Sequence, residues 1–459
     1  VTGRLLVALS VSLVPLAARA ALGPLYGGEA VLAVPDMPGS LAPRLPANAT
    51  ERSIAGLVHE TLVEIRTDGE PAPSLAKEWA AAAGGREWTL ALEDGLRFHD
   101  GRPVGAEDAA RALGRFLRGG SAAAIALGQA LEGGGSHAAS ETDALAGIVV
   151  GDSTHLTLRL RAPLARPLVP LASPAAAIEG SGGAGAGPFV PSGPPARSLR
   201  LTAFAAHVRG RPLLDGVRVM EMPDAPARAA ALRAGRVHLV PGRPGPAHPA
   251  AVLLLVLDPA SPPFDQPAVR AAVAERIPRA DLARYFVPGG EPAGALLLSL
   301  PTVPSPAATG PPLPATPFGL AVSREVAPLA SQRVVAYLDA IGLRPSVSAL
   351  APREARARGG ARLLLFVPEV PEAELTLREL ASLAPPPSAV HEMLDLAALE
   401  MDAERREGLL RQAEAVLREA HVLVPLAAAP VAFQADPRLH DARVDARGRL
   451  LLEDAWLEP

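Results

Sequence analysis

The run AVLLLVL, Ala251–Leu257, places seven apolar residues in succession with no polar alternation. A strand of that composition must be covered on both faces, so the chain has to supply the elements that cover it. The flanking sequence does so. DQPAVRAAVAERI (265–277) has helical spacing, with Asp265 as the expected N-cap and Pro267 in the first turn. A strand over 319–323, a helix over 327–341 and a second apolar strand, ARLLLFV (361–367), follow. In DAERREGLLRQAEAVLREA (402–420) helical spacing sets Leu409, Leu410, Ala413, Val416 and Leu417 on one face. Strands mixed with helices in this way predict an α/β chain. With 459 residues, 49% of them hydrophobic and 20% charged, it can bury a sizeable core in more than one domain.

The N-terminal half is read in the same terms. AVLAV (30–34) is a strand, and AGLVHETLVEI (55–65) has Leu57, Val58 and Leu62 at helical spacing. Trp88, Leu90 and Leu92 share one face of a strand that runs into Asp94-Gly95, a hairpin signal. Ala106–Arg118 reads as a helix with Glu107 and Asp108 in its first turn, where carboxylates suit the helix dipole. Strands GIVV and HLTLRL flank the turn Gly151-Asp152-Ser153. Residues 180–196, rich in glycine and proline, read as a loop. Strands in RLTAF and DGVRVMEM come next, then a helix over 225–234 ended by Gly235 and a strand in VHLVPG.

Several function classes are removed by what the chain lacks. The net charge is −4 and no basic cluster is interleaved with aromatics, so nucleic acid is not an expected partner. With no cysteine there is no disulfide, no thiolate metal site and no cysteine nucleophile. The histidines form no H-x-x-x-H or H-E-x-x-H, and no G-x-S-x-G or G-x-x-x-x-G-K-[ST] occurs. No enzyme is expected, and no cofactor. Arg4, the apolar run LLVALSVSLVPLA and Ala18-Arg19-Ala20 make an export signal over residues 1–20, too short to span a bilayer.

One order of motifs is more specific. PAPSLAKEWAAAAGGREWTLALEDGLRFHDGRPVGAEDAARAL (71–113) is followed by GAGPF (185–189), RGRPLLDGVRV (209–219), AALRAGRVHLV (230–240), PPFDQPAVRAAV (262–273) and LLRQAEAVLREAHVLVPL (409–426). This series resembles the extracellular solute-binding proteins, family 5, of peptide and nickel ABC transporters. In that family His99-Asp100 belongs to a structural turn, and no partner near it in sequence makes a triad or a metal site.

The resemblance implies a two-lobed periplasmic binding protein fold of α/β class, with mixed sheets flanked by helices, a hinge between lobes and an extra accessory domain. The expected division is 21–49, 158–245 and 435–459 in lobe I, 50–157 in the accessory domain and 246–434 in lobe II. It further implies capture of a peptide or similar small solute between the lobes, by a monomer in the periplasm, and delivery to the permease subunits of an ABC transporter. A related solute (a nickel chelate, haem or an oligosaccharide) and a paralogue that no longer binds are the alternatives. An acidic residue three positions after an aromatic holds the peptide's α-amino group in such proteins. Here that residue is Glu369, after Phe366, and Met37 is a further expected contact. The other reading of Glu369 is a loop carboxylate like Glu372 and Glu374. Glu in place of Asp, Phe366 at the aromatic position and an aromatic content of 3% depart from the peptide-binding pattern.

Overall fold

The computed structural model describes residues 23–46, 48–133, 146–242, 247–299 and 308–459, so the expected export signal and the boundary at 246 lie outside the described residues. The framework is one mixed sheet. Its strands are β1 (Glu29–Val34), then, after a smaller sheet made of β2 (Ala76–Ala82), β3 (Glu87–Leu92), β4 (Ile148–Val150) and β5 (His155–Arg159), the strands β6 (Phe189–Pro191), β7 (Ser198–Ala203), β8 (Gly216–Glu221) and β9 (Leu239–Pro241). β10 (Ala247–Val256), β11 (Pro317–Ser323), β12 (Arg344–Leu350), β13 (Ala361–Phe366) and β14 (Leu423–Ala435) complete it. The spatial order is β12-β11-β13-β10-β14-β9-β1-β8-β7-β6.

The two halves of this sheet are joined through β14. Its residues 423–432 pair antiparallel with β10, and Phe433–Ala435 pair antiparallel with β9. The apolar run singled out above lies in β10 and the residue after it, flanked by β13 and β14, with Leu254, Leu255 and Val256 fully buried. Leu253 and Leu255 belong to one hydrophobic cluster and Leu254 and Val256 to another, as alternate residues must when both faces are covered. The second of these clusters is supplied by helices α9 (Ala373–Ala381), α10 (Ser388–Leu399) and α11 (Ala403–Glu419), and α11 presents Leu410, Ala413 and Leu417 to it.

Four local expectations change. The helix expected over 55–65 is α1, Ala49–Val58, because the Asn48 side chain accepts the Glu51 N–H at 2.7 Å and starts the helix earlier. Asp94-Gly95 turns the chain but makes no hairpin, and the Arg97/Pro103 bridge closes the next loop, around His99-Asp100; the hairpin joins β2 to β3 through Gly84 and Gly85, both at positive φ. Asp265 is not the N-cap: Pro267 occupies the first position of the helix Pro267–Arg276, which makes Gln266 its cap. The loop 180–196 contains β6, which pairs with β7 because Phe189 is completely buried.

The hydrophobic clusters show which segments pack against each sheet. Ile54, Leu57 and Val58 pack with the large sheet, whereas Leu160, Leu168, Leu171, Ile178 and Ala186 pack with the smaller one. Along the chain, packing passes from the large sheet's core to the smaller one between Val58 and Leu62, and back between Ala186 and Phe189. Val370 and Leu375, from the far half of the large sheet, complete this smaller core.

Candidate functional site at the seam between the lobes

Pro368 cannot donate a ladder hydrogen bond, and the chain leaves β13 just before it. The next residue, Glu369, turns into the seam and is only 2% exposed. Facing it is the start of α3 (Ala122–Ala130), whose N-cap is Ser121. The Ser121 hydroxyl donates to Glu369 Oε1 at 2.8 Å, the Ser173 hydroxyl donates to the same oxygen, and the Ala123 N–H reaches Oε2 at 3.5 Å. A helix N-terminus and two hydroxyls thus solvate the carboxylate in place of water. Burial nevertheless pushes its pKa up, and the nearby Glu379 adds to the shift, while the hydroxyls pull in the opposite direction.

The backbone of Glu369 is held as closely. Its carbonyl accepts a hydrogen bond from Arg52 Nη1 of α1 at 3.0 Å, and its N–H donates to Glu379 Oε2 at 2.7 Å. Glu379 is itself paired with Arg356. Farther along the seam, Arg353 donates to the Leu45 carbonyl at 2.9 Å, and Arg324 faces Asp36 at 3.9 Å. Beside these contacts Glu325 carries a carboxyl that burial pushes up to about 8.

Of the residues expected at the site, Glu369 spans the seam with side-chain hydrogen bonds. Phe366 is in the packed core with Leu254, Leu364 and Leu377, and its ring lies 5.3 Å from the Arg356 guanidinium. It also edges a small recess with Glu325 and Ser323. Met37 is half-buried against the main core, next to Asp36 on the opposite side. Arg52, Ser121, Ser173 and Glu379 were missed. Only Ser121 has a clear local signal, a serine ahead of an alanine-rich helix; the others meet Glu369 from 10 to 317 residues away in sequence.

A cleft of about 270 Å³ opens beside this seam. Ala126, Gln129 and Val169 line it from one side, and Glu374, Leu375 and Arg378 from the other. Its carboxylates are paired: Glu374 with Arg378 at 2.7 Å, and Glu372 with Arg406 at 2.5 Å.

A buried carboxylate that follows β13 of the large sheet thus meets a helix start that packs with the smaller sheet. The model of the bacterial extracellular solute-binding proteins, family 5 Middle, matches residues 70–321, more than half of the chain. The chain belongs to this family. The Escherichia coli murein tripeptide binding protein MppA superposes with a TM-score of 0.81 at 17% identity, covering 95% of this chain and 99% of that one. The periplasmic binding protein DppA of Helicobacter pylori, solved with the peptide STSA, gives 0.80 at 18% identity over 95% and 99% of the two chains. Both likenesses establish the two-lobed periplasmic binding protein fold. In sequence, the nickel-binding periplasmic protein of Escherichia coli K12 is 43% identical over 54 residues, 12% of this chain. The aligned segment covers only 10% of that relative's length.

Within the family-matched region the His99-Asp100 motif is a scaffold. The His99 ring pairs with the Gly187 carbonyl at 3.0 Å and meets Phe204 edge-on at 5.0 Å, while Asp100 accepts from Arg102 at 2.9 Å. The motif pins the 185–189 loop onto the end of α1. There Gly185 is required because a Cβ would lie 1.9 Å from the Val58 carbonyl oxygen. Among the described residues no helix is long and apolar enough to cross a membrane, and no group of three or more His, Asp or Glu could hold a metal ion.

Proposed function

We propose that this chain is the solute-capturing component of an ABC importer. It would be exported to the periplasm, act as a monomer and close its two lobes on a short peptide or similar small solute before delivering it to the permease. Glu369 would hold the solute's ammonium group, with Phe366 and Met37 on the same seam. The observation that carries this reading is the carboxylate of Glu369, brought across the seam and solvated by Ser121, Ser173 and the start of α3. Oε1 has two hydroxyl donors, whereas Oε2 has one N–H at 3.5 Å and keeps acceptor capacity for a charge-assisted bond. An arriving cation also favours the ionised carboxylate and so offsets the burial that raises this group's pKa.

The test is native mass spectrometry of the purified protein, followed by calorimetry with a panel of di- to tetrapeptides. Short peptides that co-purify, and bind again after removal, support the reading if Glu369→Gln loses them while still melting cooperatively. A metal chelate or pigment carried instead would move the assignment to another solute class. An empty cleft with no heat or thermal shift across the panel would mark a paralogue without binding.

A further inference from the structure

Beneath Glu369 lies a second, smaller space that the solute reading does not use. Arg52, Gly56 and His59 follow one another at helical spacing along one face of α1 and its end, with Thr61 just beyond. Opposite them are Pro174, Ala177 and the side chains of Arg447 and Arg449 from the C-terminal ribbon. Gly56 is what admits the ribbon: a Cβ there would stand 2.4 Å from Arg449 Cδ. The space is partly open, with an interior of about 20 Å³, room for one water-sized body.

The lining is cationic without compensation from within. Arg52, Arg447 and Arg449 are 3%, 4% and 7% exposed, and no carboxylate lines the space. Asp445 serves both Arg447, at 3.0 Å, and Arg449, at 3.3 Å. Arg449 also faces Glu60, Glu64 and Glu453 on its other side. Arg52 is the least provided for. Its Nη1 bonds to a carbonyl, its Nε has no partner, and Glu379, Asp445 and Glu369 do not offset the burial that takes its pKa down to about 10. Nδ1 of His59 is likewise without a partner, and burial pushes this ring down to about 4, so it is neutral at pH 7.

We propose that this cavity is a binding site for a halide-sized inorganic anion, chloride in the first instance. An anion accepts from Arg52 Nε and offsets the burial of that guanidinium, while Arg447 and Arg449 keep Asp445. A water molecule would turn at least one of its own O–H donors toward the same cations. The volume excludes sulfate and phosphate, which need room for five heavy atoms. Because Arg52 also holds the Glu369 carbonyl, the ion steadies the seam from behind without touching the solute, and the inference stands whichever solute the cleft takes.

The test is crystallography of the full chain soaked in bromide, read at the bromine absorption edge. An anomalous peak between Arg52, His59 and Arg447 is expected, and its loss in Arg52→Gln is expected with it. In solution, replacing sulfate by chloride at equal ionic strength should favour the wild type over Arg52→Gln by about 1–3 °C in melting temperature, because sulfate's general stabilisation acts on both proteins alike and cancels in the difference. An ordered water with no anomalous signal in the wild-type crystal would overturn the proposal. So would an equal change of melting temperature between the two salts in the wild type and in Arg52→Gln; the wild-type crystal result needs no variant to fold.

Discussion

Glu60 and Glu369 are both 2% exposed, yet their surroundings are opposite. Glu60 meets charged partners: Arg209 at 2.8 Å and the His207 ring at 3.4 Å, with Ser74 donating at 3.1 Å. Burial pushes its pKa up, but the His207 hydrogen bond and the charges of Arg209 and Arg449 outweigh it and take it down to about 2. Glu369 meets neutral hydroxyls and a helix start, and its pKa goes up. A buried carboxylate with its cations in place is finished structure. One held only by neutral donors can still gain from an incoming cation, and in this chain it sits where the lobes meet.

The contrast is tested most severely at Glu60. Glu60→Gln takes from Arg209 its shortest ion pair and from Arg449 one of its carboxylates, and should cost about 3 kcal/mol in urea unfolding at pH 7. A loss below about 1 kcal/mol would erase the distinction between the two sites. The pH dependence has a definite sign. Because the folded pKa of Glu60 lies near 2, below its ordinary 4.5, its contribution is present above pH 4.5 and is lost as pH falls toward 2. Glu60→Gln should therefore flatten the acid limb of the wild-type stability curve in that window.

Next in size is Gly185→Ala, which forces a Cβ against the Val58 backbone, one residue before the His59-Glu60 pair. About 2 kcal/mol should be lost in thermal unfolding, since backbone gives way less readily than a side chain. Glu369→Gln should change stability by less than about 1 kcal/mol at pH 7, since the amide oxygen can accept the same hydroxyls. Its folded pKa is raised, so its ionisation weighs against folding increasingly as pH climbs above 4.5. The variant should gain on the wild type across that range, measured by melting at a series of pH values, while losing peptide. A variant that is strongly destabilised and binds normally would make Glu369 a structural residue like Glu60. The smallest effect is expected at His99→Ala: about 1 kcal/mol from the lost bond to Gly187, with peptide affinity unchanged in calorimetry.

Much of the fold could be read from local pattern. The unbroken apolar run of β10 demanded cover on both faces, and the spacing of Leu410, Ala413 and Leu417 in α11 named part of that cover. The order of the motifs from Pro71 to Leu426 pointed to the family, and Phe366-Val367-Pro368-Glu369 to a seam residue. Where such readings missed, a single local interaction had decided between near-equal options. The Asn48 cap moved α1 toward the N-terminus, and Pro267 set the start of its helix.

The sequence by itself determined the α/β class, the turn at Asp100-Gly101 and the position of Glu369 after a strand, because each depends on neighbours within a few residues. Only the tertiary structure decided what those carboxylates meet. Ser121 and Ser173 reach Glu369 across 248 and 196 residues of chain, and Arg209 reaches Glu60 across 149. Whether a buried charge is matched by a cation or by a hydroxyl depends on groups a few ångströms away in space, and no periodicity along the chain encodes that distance.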